Sequence, residues 1–168
     1  HFMHPLWLLF MEEVQWLKAM LRRELEVRPP MSDKKEAKLL AGNCVILHDR
    51  GEIVGYAEMR KVGKHTEIST VLVDPSQRNR GVGKELILKA VESIENDRIL
   101  CCTKNPAMAR VLQNLDFKSI GWPGFSTATI LTLNTFARLF SMLIRFEFRR
   151  IWQQGKGIHK YERYELTK

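Results

Sequence analysis

The chain of 168 residues is short of several things, and each shortage removes a class of function. It has only three cysteines, Cys44, Cys101 and Cys102. Their number is odd, two are adjacent, and all lie in apolar runs. That pattern argues against a disulfide framework and a zinc site and predicts buried thiols in a reducing compartment, so no metal is expected and a cytoplasmic location is. Neither G-x-x-x-x-G-K-[ST] nor G-x-G-x-x-G occurs, which excludes a Walker loop and the dinucleotide fingerprint. No internal repeat or low-complexity segment is present. The apolar run at residues 5–11 is short, has no basic leader and is followed by Glu12 and Glu13, so it reads neither as a secretory signal nor as a membrane span. Residues 120–144 hold one charged side chain, Arg138, but Gly121, Pro123, Gly124 and several threonines argue against a spanning helix, and no transmembrane segment is expected.

Acidic residues are in deficit. With 27 Lys and Arg against 19 Asp and Glu, the net charge of +8 favours a polyanionic partner: nucleic acid, an anionic membrane surface or a phosphate-rich cofactor. Arg138, Arg145, Arg149 and Arg150 cluster late in the chain and motivate the first two.

A hydrophobic fraction of 45% is enough for an ordinary core, and the length predicts one domain over residues 1–168. Residues 5–26 recur at helical spacing, with Trp7, Phe10, Val14, Leu17, Leu21 and Leu25 on one side. Ser32 reads as the N-cap of a short helix over 33–40. Residues 44–48 and 52–60 read as strands joined by an Asp49-Arg50-Gly51 turn, and Gly63-Lys64 turns into a third strand, making an antiparallel meander. Gly55, inside the second strand, marks a bulge or a close approach by a ligand. A helix is predicted over 84–94, short strands over 98–103 and 117–120, and a last strand over 159–166. Residues 127–133 fit strand or helix. Residues 135–153 read as one wide amphipathic helix, with Arg138, Ser141, Arg145 and Arg149 as its polar stripe and Phe136, Phe140, Leu143 and Ile144 opposite. The terminal helices pack on the sheet, with a homodimer or a lipid contact as the alternatives. The pattern as a whole is α/β (α+β): a mixed, mostly antiparallel twisted sheet flanked by helices, with extra amphipathic helices at the N-terminus and near the C-terminus.

The most informative stretch is 67–90. A β-branched strand ends at Val73, Asp74-Pro75-Ser76 turns, a cationic loop carries Arg78, Asn79, Arg80, Gly81, Val82 and Gly83, and a helix begins at Lys84. Gly81 and Gly83 lack a Cβ and let a ligand come close. First-turn amides have no internal acceptor, so this order cradles an anion, with Arg78, Arg80 and Lys84 adding charge. A second stretch, 105–117, reads as a helix capped by Asn105, with Pro106 at its first position and Met108, Val111, Leu112 and Leu115 facing inward.

Together these stretches resemble motifs A and B of the GNAT acetyltransferase superfamily, over a core of about residues 44–120. The R-x-x-G-x-G loop of that family holds the pyrophosphate of acetyl-CoA. The resemblance implies an N-acetyltransferase that transfers acetyl from acetyl-CoA to a primary amine by direct attack, with no nucleic-acid partner. It implies cofactor contacts from Arg78, Asn79, Arg80, Gly81, Val82, Gly83, Lys84 and Asn105, and an acetyl-pantetheine arm lined by Val71, Leu72 and Val73. Glu67 lies fourteen residues before Gly81, where histone-type members place a general base. Glu58 is a second candidate. His48 and His65 are of the side-chain type that serves acid–base chemistry but, beside turns, read as surface residues. Two departures stand out: Asp116 replaces the usual Gly, and Leu112 falls where the family often has the Tyr that protonates the departing thiolate. The second keeps a non-catalytic CoA-binding module open as an alternative.

Overall fold

A computed structural model describes residues 4–168. It begins with α1 (His4–Arg23) and α2 (Asp33–Leu40) and continues as a meander of β1 (Cys44–Asp49), β2 (Glu52–Val62) and β3 (His65–Val73). Then come α3 (Val82–Ser93), β4 (Arg98–Thr103), α4 (Pro106–Asn114), β5 (Lys118–Ile120), α5 (Phe125–Ile144), α6 (Phe148–Gly155) and β6 (Glu162–Thr167). The six strands form one sheet in the order β1-β2-β3-β4-β6-β5, antiparallel except between β3 and β4.

Two apolar clusters lie on opposite faces of the sheet. On one face Leu86, Ile87 and Ala90 of α3 and Leu112 of α4 pack with Ile68, Ile99, Cys101 and Tyr164. On the other, Val14, Leu17 and Leu21 of α1 pack with Tyr56 and Leu72. The helical spacing of those α1 residues therefore reports burial on the sheet. The carboxyl end of α1 has an unusual cap. Arg150 of α6, 4% exposed, donates to the carbonyl of Leu21 (2.8 Å), which the helix end leaves free, and to those of Val27 (2.9 Å) and Glu24 (3.1 Å) in the segment that follows.

Several expectations need correction. Residues 135–153 are not one helix: α5 starts ten residues earlier than expected, at Phe125, and ends at Ile144, where Phe146 adopts φ +57° before α6. Residues 127–133 are helical. The polarity of α5 is also reversed, because Phe136, Phe140, Leu143 and Ile144 are exposed while Arg138 is half-buried. Gly55 sits beside a register shift, as a bulge requires, but the close approach is by α3: a Cβ there would meet Leu86 Cδ1 at 2.9 Å and Val82 Cγ1 at 3.0 Å. His65 is no surface residue. It is 1% exposed, held between Thr127 Oγ1 and Glu165 Oε1 at 2.7 Å each. Arg150 is likewise withdrawn from any surface patch.

Candidate active site

The site begins where β3 and β4 part. They pair only at Thr66 with Ile99 and Glu67 with Leu100, so from Ile68 to Val73 the β4-facing edge of β3 has no strand partner. Which groups point into that opening follows from the antiparallel ladder. The Asp74 amide donates to the Val54 carbonyl at 2.9 Å, which makes residues 54 and 74 a hydrogen-bonded pair. Such pairs alternate, so Tyr56 and Leu72 are the next, and the main-chain groups of Val71 and Val73 turn the other way, into the opening. Leu72 differs from its neighbours, since its side chain is buried against α1 on the opposite face.

One residue changes which side chains face which layer. Glu58 pairs with Thr70 and Met59 with Ile68, leaving Ser69 as the extra residue of a bulge in β3. Without it, strict alternation would place Ile68 and Val71 on opposite faces; both instead pack with the α3 side. Glu67, next to Ile68, therefore points to the face that α5 covers.

The phosphate loop follows β3 directly. Asp74 caps its turn, accepting from the Ser76 amide at 2.9 Å and hydroxyl at 2.6 Å, and these bonds hold its carboxyl below its ordinary range. Asn79 (φ +62°) and Gly81 (φ +82°) both adopt left-handed backbone before α3 starts at Val82. Gly81 is the N-cap and offers no side chain, and the Glu85 amide takes its carbonyl at 3.0 Å. The amides of Val82, Gly83 and Lys84 then have no acceptor among the described residues. The contrast with α4 is instructive: there Asn105 Oδ1 caps the Ala107 amide at 2.9 Å. A Cβ placed on Gly81 would meet nothing within 4 Å, so the space beside those free amides is open. Arg80 and Lys84 are exposed beside it; Arg78, expected there as a free cation, is ion-paired with Glu24 at the end of α1. Asn105 supplies its oxygen to its own helix.

Of the acid–base candidates, Glu67 is 5% exposed and receives Arg60 Nε on Oε2 at 2.7 Å, which leaves Oε1 without a partner among the described residues. Glu58 has no such freedom. Its Oε2 accepts from Arg28 Nε at 2.9 Å and the Tyr56 hydroxyl at 3.0 Å, while Arg28 also makes a bidentate pair with the fully buried Glu36 at 2.8 and 2.9 Å. Burial alone would lower the Arg28 pKa, but the two carboxylates more than reverse that and raise it. This network is structural, joining α2 to β2. His48 is exposed and pairs with Glu13 at 3.0 Å. The thiols offer no nucleophile: burial and Glu58 push Cys44 up to about 11, burial and Glu67 push Cys102 up to about 12, and burial raises Cys101 further. Leu112 is wholly buried in the core.

The sequence pattern put Arg138 on a polar outer stripe, whereas it faces this site. Its Nε is buried without a hydrogen-bond partner among the described residues, burial lowers its pKa, and it lies within electrostatic reach of Tyr161, Arg60 and Glu67. The apolar residues flanking it on α5 hid its inward direction. Two concavities of about 230 and 310 Å³ lie elsewhere, one lined by Trp122, Leu131, Thr135 and Arg163, the other by Arg50, Glu52, Asp74 and Gln77. Neither is lined by Gly81 or Glu67.

The sequence model of the acetyltransferase (GNAT) family matches residues 7–117. This chain belongs to the GNAT acetyltransferase family. Among solved structures, a Mycobacterium tuberculosis protein crystallised with CoA is similar at a TM-score of 0.63 and 14% identity, over 94% of this chain and 95% of that one. N-acetylglutamate synthase of Neisseria gonorrhoeae, also complexed with CoA, gives 0.60 and 15% over 92% of this chain but 32% of its own. The ribosomal-protein-alanine N-acetyltransferase of Brucella melitensis gives 0.57 and 16%, over 66% and 82%. No curated protein matches the sequence. The GNAT fold is thus shared at low identity, and CoA-dependent acetyl transfer is the general activity of the family.

Proposed function

We propose that this GNAT chain is an acetyl-CoA-dependent N-acetyltransferase acting on a primary amine. The observation that carries this reading is the set of unpartnered amides at Val82, Gly83 and Lys84 beside the open space at Gly81. In this reading those amides, with Arg80 and Lys84, hold the pyrophosphate, and the main-chain groups of Val71 and Val73 bind the pantetheine arm and polarise the thioester carbonyl. Arg78 joins them when it leaves Glu24. Acetyl-CoA supplies the acetyl group as a thioester. The amine nitrogen bonds to the carbonyl carbon, the carbon–sulfur bond breaks, the amine proton passes to Glu67 Oε1 directly or through water, and the thiolate takes a proton from solvent, because Leu112 has none to give. The raised thiol pKa values support direct attack over a cysteine intermediate. Three free thiols also suit a reducing cytoplasm, and the continuous sheet supports one domain over residues 1–168.

Leu112 favours one second reading, a CoA-binding module without turnover. Calorimetry with acetyl-CoA followed by thiol release over a panel of amines separates the outcomes. Binding with turnover on at least one amine supports the enzyme; binding with no turnover selects the module; no binding overturns both.

A further inference from the structure

The feature that the GNAT site leaves unexplained is the outer side of α5 and α6. Phe125 is 83% exposed, Phe146 78%, Phe136 66% and Trp152 65%, with Phe140 and Leu133 also open to solvent. Where α5 gives way to α6 the strip continues: Phe146, in the turn between them, makes an edge contact with Phe148 at the start of α6, centroids 6.1 Å apart. A strip of this kind on a soluble surface marks something that covers it.

Charge identifies the cover. Between Lys118 and Lys160 the chain carries seven Lys or Arg and one acid, Glu147, and that acid is paired with Arg150. Arg145, Arg149, Lys156 and Lys160 are exposed beside the strip, and the Lys156 ammonium lies 4.8 Å over the Trp152 ring. A second copy of this chain would bring like charges together across a two-fold interface. A surface with apolar depth and negative headgroups satisfies both features.

We infer that the α5–α6 face docks in the plane of an anionic phospholipid membrane. Although α5 is long and apolar enough to cross a bilayer, its inner side is committed to the protein. Thr127 bonds His65 and the Val62 carbonyl, and Met142 is fully buried. One free side is the geometry of a helix lying on a membrane and not of one traversing it.

The test is sedimentation of the full chain with vesicles of phosphatidylcholine alone and of equimolar phosphatidylcholine and phosphatidylglycerol, alongside light scattering of the chain in solution. The proposal requires a monomer that pellets with the anionic vesicles, less so as salt rises. Phe136→Ser with Phe140→Ser, checked for folding by thermal unfolding, abolishes pelleting. Arg149→Glu with Lys156→Glu lowers the partition coefficient by about 25-fold or more, at roughly a fivefold loss for each cation removed. Failure of the folded chain to pellet, equal pelleting with neutral vesicles, or a dimer that the aromatic substitutions dissociate would each overturn it. Acetyl-CoA binding is a separate readout, so this proposal and the enzymatic one fail independently.

Discussion

Substituting Gly81 separates the cost of its backbone from the cost to its ligand. At φ +82° a side chain is strained by about 1–2 kcal/mol, and a Cβ meets no neighbour within 4 Å, so strain is the whole penalty in the free protein. In Gly81→Glu the new carboxylate sits at the positive end of α3, which returns about 0.3–1 kcal/mol. The free chain should therefore lose only about 1 kcal/mol of stability, read as a modest fall in Tm. Toward a diphosphate the same carboxylate is a like charge at contact range, costing about 2–4 kcal/mol at the effective dielectric of a protein surface. Calorimetry should show acetyl-CoA affinity weakened by about 30- to 1,000-fold. Gly81→Asn, which tolerates the left-handed backbone and adds no charge, should retain most of the affinity. A folded Gly81→Glu protein that binds acetyl-CoA like the wild type would refute the placement of the pyrophosphate.

Glu67→Gln should lower kcat by about two to four orders of magnitude while acetyl-CoA affinity is unchanged, since the residue acts on the acceptor's proton; an unaltered kcat would remove it from the chemistry. Arg28→Met strands the buried Glu36 and Glu58 carboxylates and should cost about 3–5 kcal/mol in chemical denaturation, with a cost below 1 kcal/mol contradicting the network's role. The raised thiols predict a pH dependence. An ordinary thiol is partly ionised at pH 8, whereas Cys44 at about 11 and Cys102 at about 12 hold almost no thiolate there and gain it only as pH rises further. Alkylation of the native chain at pH 8 should be roughly two orders of magnitude slower than for a free thiol and become fast on unfolding. One cysteine reacting at the free rate in the native chain would contradict its raised pKa.

Local signals made most of this site legible. The β-meander announced itself through alternation and turn residues, α3 through its apolar spacing, and α4 through Asn105 and Pro106, whose capping geometry is as expected. The loop glycine at 81 could be read because a residue without a Cβ lets a ligand approach the backbone. Long-range partnerships could not be read. Arg28 meets Glu36 and Glu58 from 8 and 30 residues away, and nothing local distinguishes that guanidinium from a surface one. His65 looked like a turn residue until α5 delivered Thr127 over it. For α5 the period was right and the direction wrong: an apolar stripe was assigned to the protein interior, whereas the helix turns Arg138 inward and its aromatics outward. The bulge at Ser69, which sets the direction of Glu67, leaves no mark in a strand of ordinary β-branched residues.

The central claim, that an anion docks on the free amides of α3's first turn, is tested most directly by amide hydrogen exchange with and without acetyl-CoA, resolved over residues 79–84. Protection should rise at Val82, Gly83 and Lys84 and stay unchanged at the already capped first turn of α4. Acetyl-CoA that binds while leaving exchange at those three amides unaltered would contradict the account.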